Sequence, residues 1–171
     1  MPVRRPKEAM PPAPKAARPV QDLPASPPLS IQRNMKDTLE GRVVGILFDE
    51  GSDAATLGNL RKAIISAKAR VKLIAPKVGG ATLSDGTHLA ADGQLAGTPS
   101  VLCDAVALVL SNKAGAKLVE EAAAVNFVRD AFAHLNAIAF DAGARQLLDK
   151  AGVVDDAGVL PARDAKEFVR A

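Results

Sequence analysis

Val43-Val44-Gly45-Ile46-Leu47-Phe48 and Ala105-Val106-Ala107-Leu108-Val109-Leu110 are apolar at every position. A strand with one wet face alternates polar and apolar side chains, so an unbroken run of six belongs to a strand buried on both faces. Such strands need helices above and below, and the chain supplies them. After Phe48, Asp49-Glu50-Gly51-Ser52-Asp53 makes a turn in which Ser52 or Asp53 is placed to cap a helix. Leu57, Leu60 and Ile64 then recur at spacings of three and four. Val71-Lys72-Leu73-Ile74-Ala75 is a second strand, stopped by Pro76, and it completes a right-handed β-α-β unit. Ala81 to Ala90 reads as a hairpin that turns at Ser84-Asp85-Gly86. Behind the Ala105–Leu110 strand, one long helix carries Leu118, Ala122, Val125, Val128, Phe132 and Leu135 on one side. Asn136 to Phe140 returns as a strand, and Ala144 to Ala151 is a short helix ending at Gly152. The remainder, Val153-Val154 through Val159-Leu160, leads to a final helix near Arg163 to Arg170. Strands and helices in this alternation predict an α/β fold with a doubly wound, mostly parallel sheet.

The residues before this pattern have a different texture. Nine of the twelve prolines fall within the first 28 residues. Proline fixes φ and lacks a donor, so this stretch is expected to stay out of helices and central strands and to run as a semi-rigid spacer. Residues 1–40 therefore read as a proline-rich basic linker, extended or disordered, and 41–171 as the folded domain. Seven of the 22 basic and four of the 19 acidic side chains lie in residues 1–40, which leaves 15 of each sign in 41–171. A nucleic-acid binder shows its basic face on the folded part; here the excess charge is on the tail, so no nucleic-acid partner is expected. No apolar run approaches the roughly 20 residues of a membrane span. Met1-Pro2-Val3-Arg4-Arg5-Pro6 lacks the apolar stretch of a secretory signal. Cys103 is the one cysteine, which excludes an intrachain disulfide and fits a reducing, cytoplasmic setting.

Ligands of doubly wound sheets sit outside the carboxyl ends of the strands, which directs the search to Asp49–Asp53, Ser111–Gly115 and Asp141–Gly143. The first loop has neither G-x-G-x-x-G nor G-x-x-x-x-G-K-[ST], and Asp49, Glu50 and Asp53 would repel a phosphate at the helix start. Asp49 and Glu50 are adjacent in a turn and point apart, with no third carboxylate for a hard cation. Cys103 precedes its strand at the amino end, away from the expected site and from both histidines in sequence, and reads as a small hydrophobe. His88 and His134 have no metal-ligand spacing between them. Ser111 is at the correct end but lacks a G-x-S-x-G elbow. No catalytic, cofactor-binding or metal-binding set emerges.

Two stretches taken together are more specific. Val20-Gln21-Asp22-Leu23-Pro24-Ala25-Ser26-Pro27-Pro28-Leu29-Ser30-Ile31 resembles the linker of large-subunit haem catalases, and Gly41-Arg42-Val43-Val44-Gly45-Ile46-Leu47-Phe48 resembles the opening of their extra C-terminal domain. Asp85-Gly86-Thr87, Ala96-Gly97-Thr98-Pro99-Ser100, Cys103-Asp104-Ala105-Val106, Ala131-Phe132-Ala133-His134-Leu135 and Ile138-Ala139-Phe140-Asp141-Ala142-Gly143-Ala144 continue the similarity in the same order. The resemblance implies a flavodoxin-like, three-layer αβα fold of the class I glutamine amidotransferase-like group, which includes PfpI-type proteases. Enzymes of that group place a cysteine on the sharp turn that matches Asp141-Ala142-Gly143. Here Ala142 stands there, and a methyl group cannot attack a carbonyl. The group's paired glycines after the middle strand are replaced by Ser111-Asn112, and its acidic partner matches Glu50.

Catalases of this family bind haem iron through a tyrosinate, and this sequence has no tyrosine. The resemblance therefore implies a chain without turnover or cofactor of its own, whose parent disproportionates hydrogen peroxide with haem. Its implied partners are the parent's haem domain and tetramer, which it stabilises, and, in a chaperone-like role, unfolding client proteins. The alternatives are a PfpI-type hydrolase or glyoxalase-like enzyme, against which Ala142 counts, and a small-ligand module at the switch point of the sheet. The latter would have no tryptophan or tyrosine with which to bracket a flavin.

Overall fold

The apolar runs become strands buried on both faces. In the computed structural model, which describes Lys15, residues 23–34 and residues 38–171, the chain divides into Met1–Asp37 and Thr38–Ala171. The proline-rich stretch before Leu23, read as an extended spacer, lies outside the described residues apart from Lys15. The described part of the first unit departs from a purely extended reading. Pro27–Leu29 forms a 3-10 turn with proline at its first positions, where a helix needs no N–H. A single helical turn, α1 (Ile31–Asn34), follows.

In the second unit, β1 (Val43–Phe48) pairs with β2 (Arg70–Ala75) on one side and β6 (Ala105–Val109) on the other, both parallel. β7 (Ala137–Phe140) pairs with β6, and β8 (Val159–Pro161) with β7, again in parallel. A two-residue strand, β5 (Gly93–Gln94), lies against the outer edge of β2 and completes the order β5-β2-β1-β6-β7-β8. β3 (Ala81–Thr82) and β4 (His88–Leu89) form the expected hairpin outside this sheet.

Successive side chains of a strand point to opposite faces, and that alternation sorts the core into two. Val44, Ile46 and Phe48 of β1 join Ala107 and Val109 of β6 under α2 (Ala54–Ser66), whose Leu57, Leu60 and Ile64 are buried, and under α6 (Ala165–Phe168), which contributes Phe168. Leu47, Val106, Leu108 and Ile138 face the other way, toward α3 (Asn112–Leu118), α4 (Ala122–Ala133) and α5 (Arg145–Ala151). Each fully buried aliphatic side chain contributes about 1.5–3 kcal/mol, so both layers are needed to hold the sheet.

One expectation is corrected. The segment after β6 is two helices rather than one, broken at Val119-Glu120-Glu121. Apolar spacing runs across the break from Leu118 to Val125, which is why periodicity alone reads it as continuous. The buried face of α4 is Ala124, Val125, Phe127, Val128 and Ala131; Ala122 and Leu135, assigned to it from the sequence, are exposed. Leu135 instead occupies the left-handed position of a Schellman motif, with φ 58°, while Leu135 N–H donates to Phe132 O and Asn136 N–H to Ala131 O. Lys68 (φ 61°) ends α2 in the same way, and Gly152 (φ 79°) ends α5.

Gly45 in the middle of β1 has a packing reason. A Cβ there would come 2.8 Å from Cys103 Sγ, so the thiol lies against the bare strand backbone. Gly45→Ala is expected to destabilise the domain by about 1–3 kcal/mol through overpacking. Adding Cys103→Ala removes the sulfur and should recover most of that loss. Urea unfolding of the four proteins measures the coupling; additive losses would show that the thiol is not what excludes the methyl group.

Candidate functional site

β1 sends the chain to one face of the sheet through α2, and β6 sends it to the other through α3. Their carboxyl ends are therefore the switch point at which such a sheet opens a crevice. Three loops meet there: 49–53, 110–113 and 141–144.

In the first loop Asp53 is the helix cap, as one of the two expected residues. Its Oδ2 accepts Thr56 N–H at 2.7 Å, and the bond from the Thr56 backbone holds the carboxyl below the usual aspartate range. Ser52 is fully buried and has another task. Its Oγ accepts Asp49 N–H (3.0 Å) and lies against the carbonyls of Val109 (2.5 Å) and Asp49 (2.7 Å), which ties β1 to β6. Asp49 and Glu50 do point apart. Asp49 is buried, with Lys117 Nζ 4.0 Å from its carboxylate, whereas exposed Glu50 accepts Thr82 N–H at 3.1 Å.

The hairpin closes over this loop, a contact that nothing in the sequence announces. Gly51 N–H donates to Thr82 O (2.8 Å), Ser84 N–H to Ser52 O (2.9 Å), and Ala54 N–H to Ser84 Oγ (3.1 Å). Two of the free N–H groups that would make the start of α2 attractive to an anion, those of Thr56 and Ala54, are thus engaged by Asp53 and Ser84.

The second loop is fastened to the first. Ser111 Oγ donates to Glu50 O (2.7 Å) and accepts Ala114 N–H (3.2 Å), so it caps α3. The third loop is fastened to the second. Asp141 accepts Leu110 N–H (2.9 Å) and Ala144 N–H (3.2 Å). Burial raises its pKa above the ordinary 3.8, against those two bonds. A Cβ on Gly143 would overlap Leu110 O, and one on Gly115 would overlap Gly143 O, so backbone meets backbone where α3 crosses the turn. Ala142 is exposed on the Ala142–Ala144 3-10 turn, and Lys68 and Leu135 are the non-glycine residues with positive φ among those described. The turn is therefore made without the strained left-handed residue of a nucleophile elbow.

The remaining candidates lie elsewhere. Cys103 is buried at the amino end of β6, and its pKa is raised by burial, which outweighs the nearby Lys72. His88 is exposed on β4, with Nε2 2.9 Å from Gly79 O, and His134 is exposed at the end of α4. No group of three or more His, Cys, Asp or Glu among the described residues is placed to hold a metal ion. An open groove of about 980 Å³ runs between α2 and α6, lined by Lys62, Ser66, Arg163, Lys166 and Arg170 among others, and it shares no residue with the three loops.

The comparisons with known proteins agree on one family and one fold. Residues 40–171 match the family described as the C-terminal domain found in long catalases. The chain is 46% identical over 161 residues to catalase C of Rhizobium meliloti, covering 92% of this chain and 23% of that protein. It is 30% identical over 168 residues to catalase HPII of Pseudomonas putida, covering 94% and 23%. The chain thus spans about a quarter of the length of these relatives. Among solved structures, Drosophila melanogaster DJ-1beta superposes with a TM-score of 0.64 at 16% identity over 75% of this chain and 87% of that one. Oxidized Toxoplasma gondii DJ-1 gives 0.62 at 14% identity with the same coverage. At those identities the structural likeness concerns the fold.

Asp141 yields a test with a definite sign. Its folded-state pKa is raised, so folding favours the protonated form, and stability is lost as pH rises from the ordinary value through the raised one. Asp141→Asn abolishes that slope and leaves one of two N–H donors without an acceptor, at about 1–3 kcal/mol. The advantage of the native protein over the variant, from urea midpoints between about pH 3 and pH 7, should shrink as pH rises. A constant difference would mean that the carboxyl titrates normally.

Proposed function

This chain belongs to the family of C-terminal domains of long catalases, and from that premise we propose that it acts by contact, as an accessory domain that turns over no substrate. In this reading the parent is a haem-dependent catalase. The domain packs on its haem-bearing body within the tetramer and raises resistance to heat, denaturant and proteolysis by linkage between docking and folding.

The observation that carries the proposal is that Asp141, Ser111 and Glu50, the polar side chains that join the three loops at the switch point, are bonded to backbone. Asp141 holds the backbone of Leu110 and Ala144, Ser111 holds the backbone of Glu50 and Ala114, and the Glu50 carboxylate holds Thr82. A catalytic acid, base or nucleophile must have a free atom to offer the substrate, whereas these atoms knit three loops and a hairpin together. Ala142 adds no reactive atom at the turn. Cys103, buried and held protonated at the opposite edge, is poorly placed to substitute for one. The chaperone-like role and a cytoplasmic setting go with the family reading and belong to the same proposal.

Deleting residues 38–171 from a long polypeptide that contains this chain should lower the midpoint of its thermal inactivation. Peroxide turnover per haem should be unchanged. The 171-residue chain alone should turn over neither peroxide, glyoxals nor peptides, and it should delay aggregation of a heated client protein if the chaperone-like role holds. Turnover by the purified chain that is abolished by Cys103→Ala would overturn the proposal.

A further inference from the structure

Six large apolar side chains of Thr38–Ala171 are more than half exposed: Ile65, Val78, Val101, Leu102, Leu135 and Val154. Their distribution over the fold is one-sided. Ile65 is in the last turn of α2, just before β2; Val101 and Leu102 precede β6; Leu135 lies between α4 and β7; Val154 lies between α5 and β8. All five sit in segments that lead into the amino ends of parallel strands, and Val78, which follows β2, is the exception. The segments that carry Leu102 and Leu135 are tied to each other, because Asn136 Nδ2 donates to Cys103 O at 3.0 Å.

Leu135 is the residue hardest to explain within the domain. It is 89% exposed, so it contributes almost nothing to the core, and it holds φ 58°, where a side chain is strained and glycine is the usual occupant. A strained, solvent-exposed leucine is of use to a surface outside its own domain. The chain also enters the domain at this edge. Gly41 N–H donates to Lys68 O (3.2 Å), Arg70 N–H to Arg42 O (2.8 Å), and the Arg42 guanidinium pairs with Asp104 at 2.9 Å, next to Cys103. In the relatives about three quarters of the polypeptide lies outside the matched stretch, and the family description makes that stretch C-terminal. The larger body is therefore tethered to the edge that carries the apolar side chains.

We infer that the amino edge of the sheet, centred on Leu102 and Leu135, is the face that docks on the haem-bearing body of the long polypeptide, an inference that rests on the function proposed above. Exposed apolar residues scattered over a surface are ordinary, whereas five of six gathered on the edge that receives the tether point to an interface. The carboxyl edge, closed by its own hydrogen bonds, faces away from that body.

Hydrogen exchange on the 171-residue chain and on a long polypeptide that contains it tests the assignment. Protection gained in the long polypeptide at residues 100–104, 134–137 and 152–158, with none at 50–53, 111–113 and 141–144, is the expected result. Protection confined to the carboxyl edge or to the groove between α2 and α6 overturns the inference while leaving the accessory function standing. No added protection anywhere, or no haem-bearing polypeptide that contains this chain, overturns both. Leu135→Gly adds a test whose two readouts move in opposite directions. It relieves the left-handed leucine, so it should raise the melting temperature of the 171-residue chain, yet it should lower the thermal resistance of the long polypeptide. A change of the same sign in both would assign Leu135 to the fold alone. Self-association of the chain that is lost in Leu102→Lys would assign the face to a second copy and overturn the inference.

Discussion

β1 and β6 lie side by side with both faces dry, and the rest of Thr38–Ala171 is arranged to keep them so. Because alternate side chains leave a strand on opposite faces, no single helical layer can cover both sets. α2 and α6 take one face, and α3, α4 and α5 take the other. The reversal between the two layers falls between β1 and β6, and it makes their carboxyl ends the place where three loops converge. The position of the candidate site is thus a consequence of how the core is buried.

Sheets of this architecture commonly offer a crevice at that point. Here the loops at that point are bonded to one another and to the hairpin. The β3–β4 hairpin bonds across the loop after β1, Ser111 ties that loop to α3, and the turn at Gly143 presses on the backbone of Leu110 and Ser111. The two glycines matter because backbone can approach backbone only where no Cβ intervenes. Ala142 is exposed on that turn, and no buried contact of the sheet depends on its side chain.

The two edges of the sheet have opposite characters. The carboxyl edge is closed by hydrogen bonds between its own loops, whereas the amino edge presents apolar side chains and receives the chain from upstream. Cys103 belongs to the second edge, packed on Gly45 and held protonated by burial. The same close packing leaves no room for a side chain at position 45 while the sulfur is present.

Much of this was legible in the residues. Two-sided burial of β1 and β6, the stripe Leu57-Leu60-Ile64, the cap at Asp53, the stop at Gly152, the missing tyrosines and the alanine at 142 depend on residue identity and local spacing, which a linear sequence carries in full. The break between α3 and α4, the added strand β5, the exposure of Leu135 and the closure of the site by the hairpin did not show. The hairpin closure and β5 are settled by groups far apart in the chain, Ser84 against Ala54 and Asp92 against Leu73, whereas the helix break and the turn at Leu135 are local bonds that residue spacing does not announce. Periodicity reports which way a side chain faces on its own element, and a motif reports which atoms are present. Whether those atoms are free for a substrate or already bonded to a neighbour thirty residues away is decided only when the layers close.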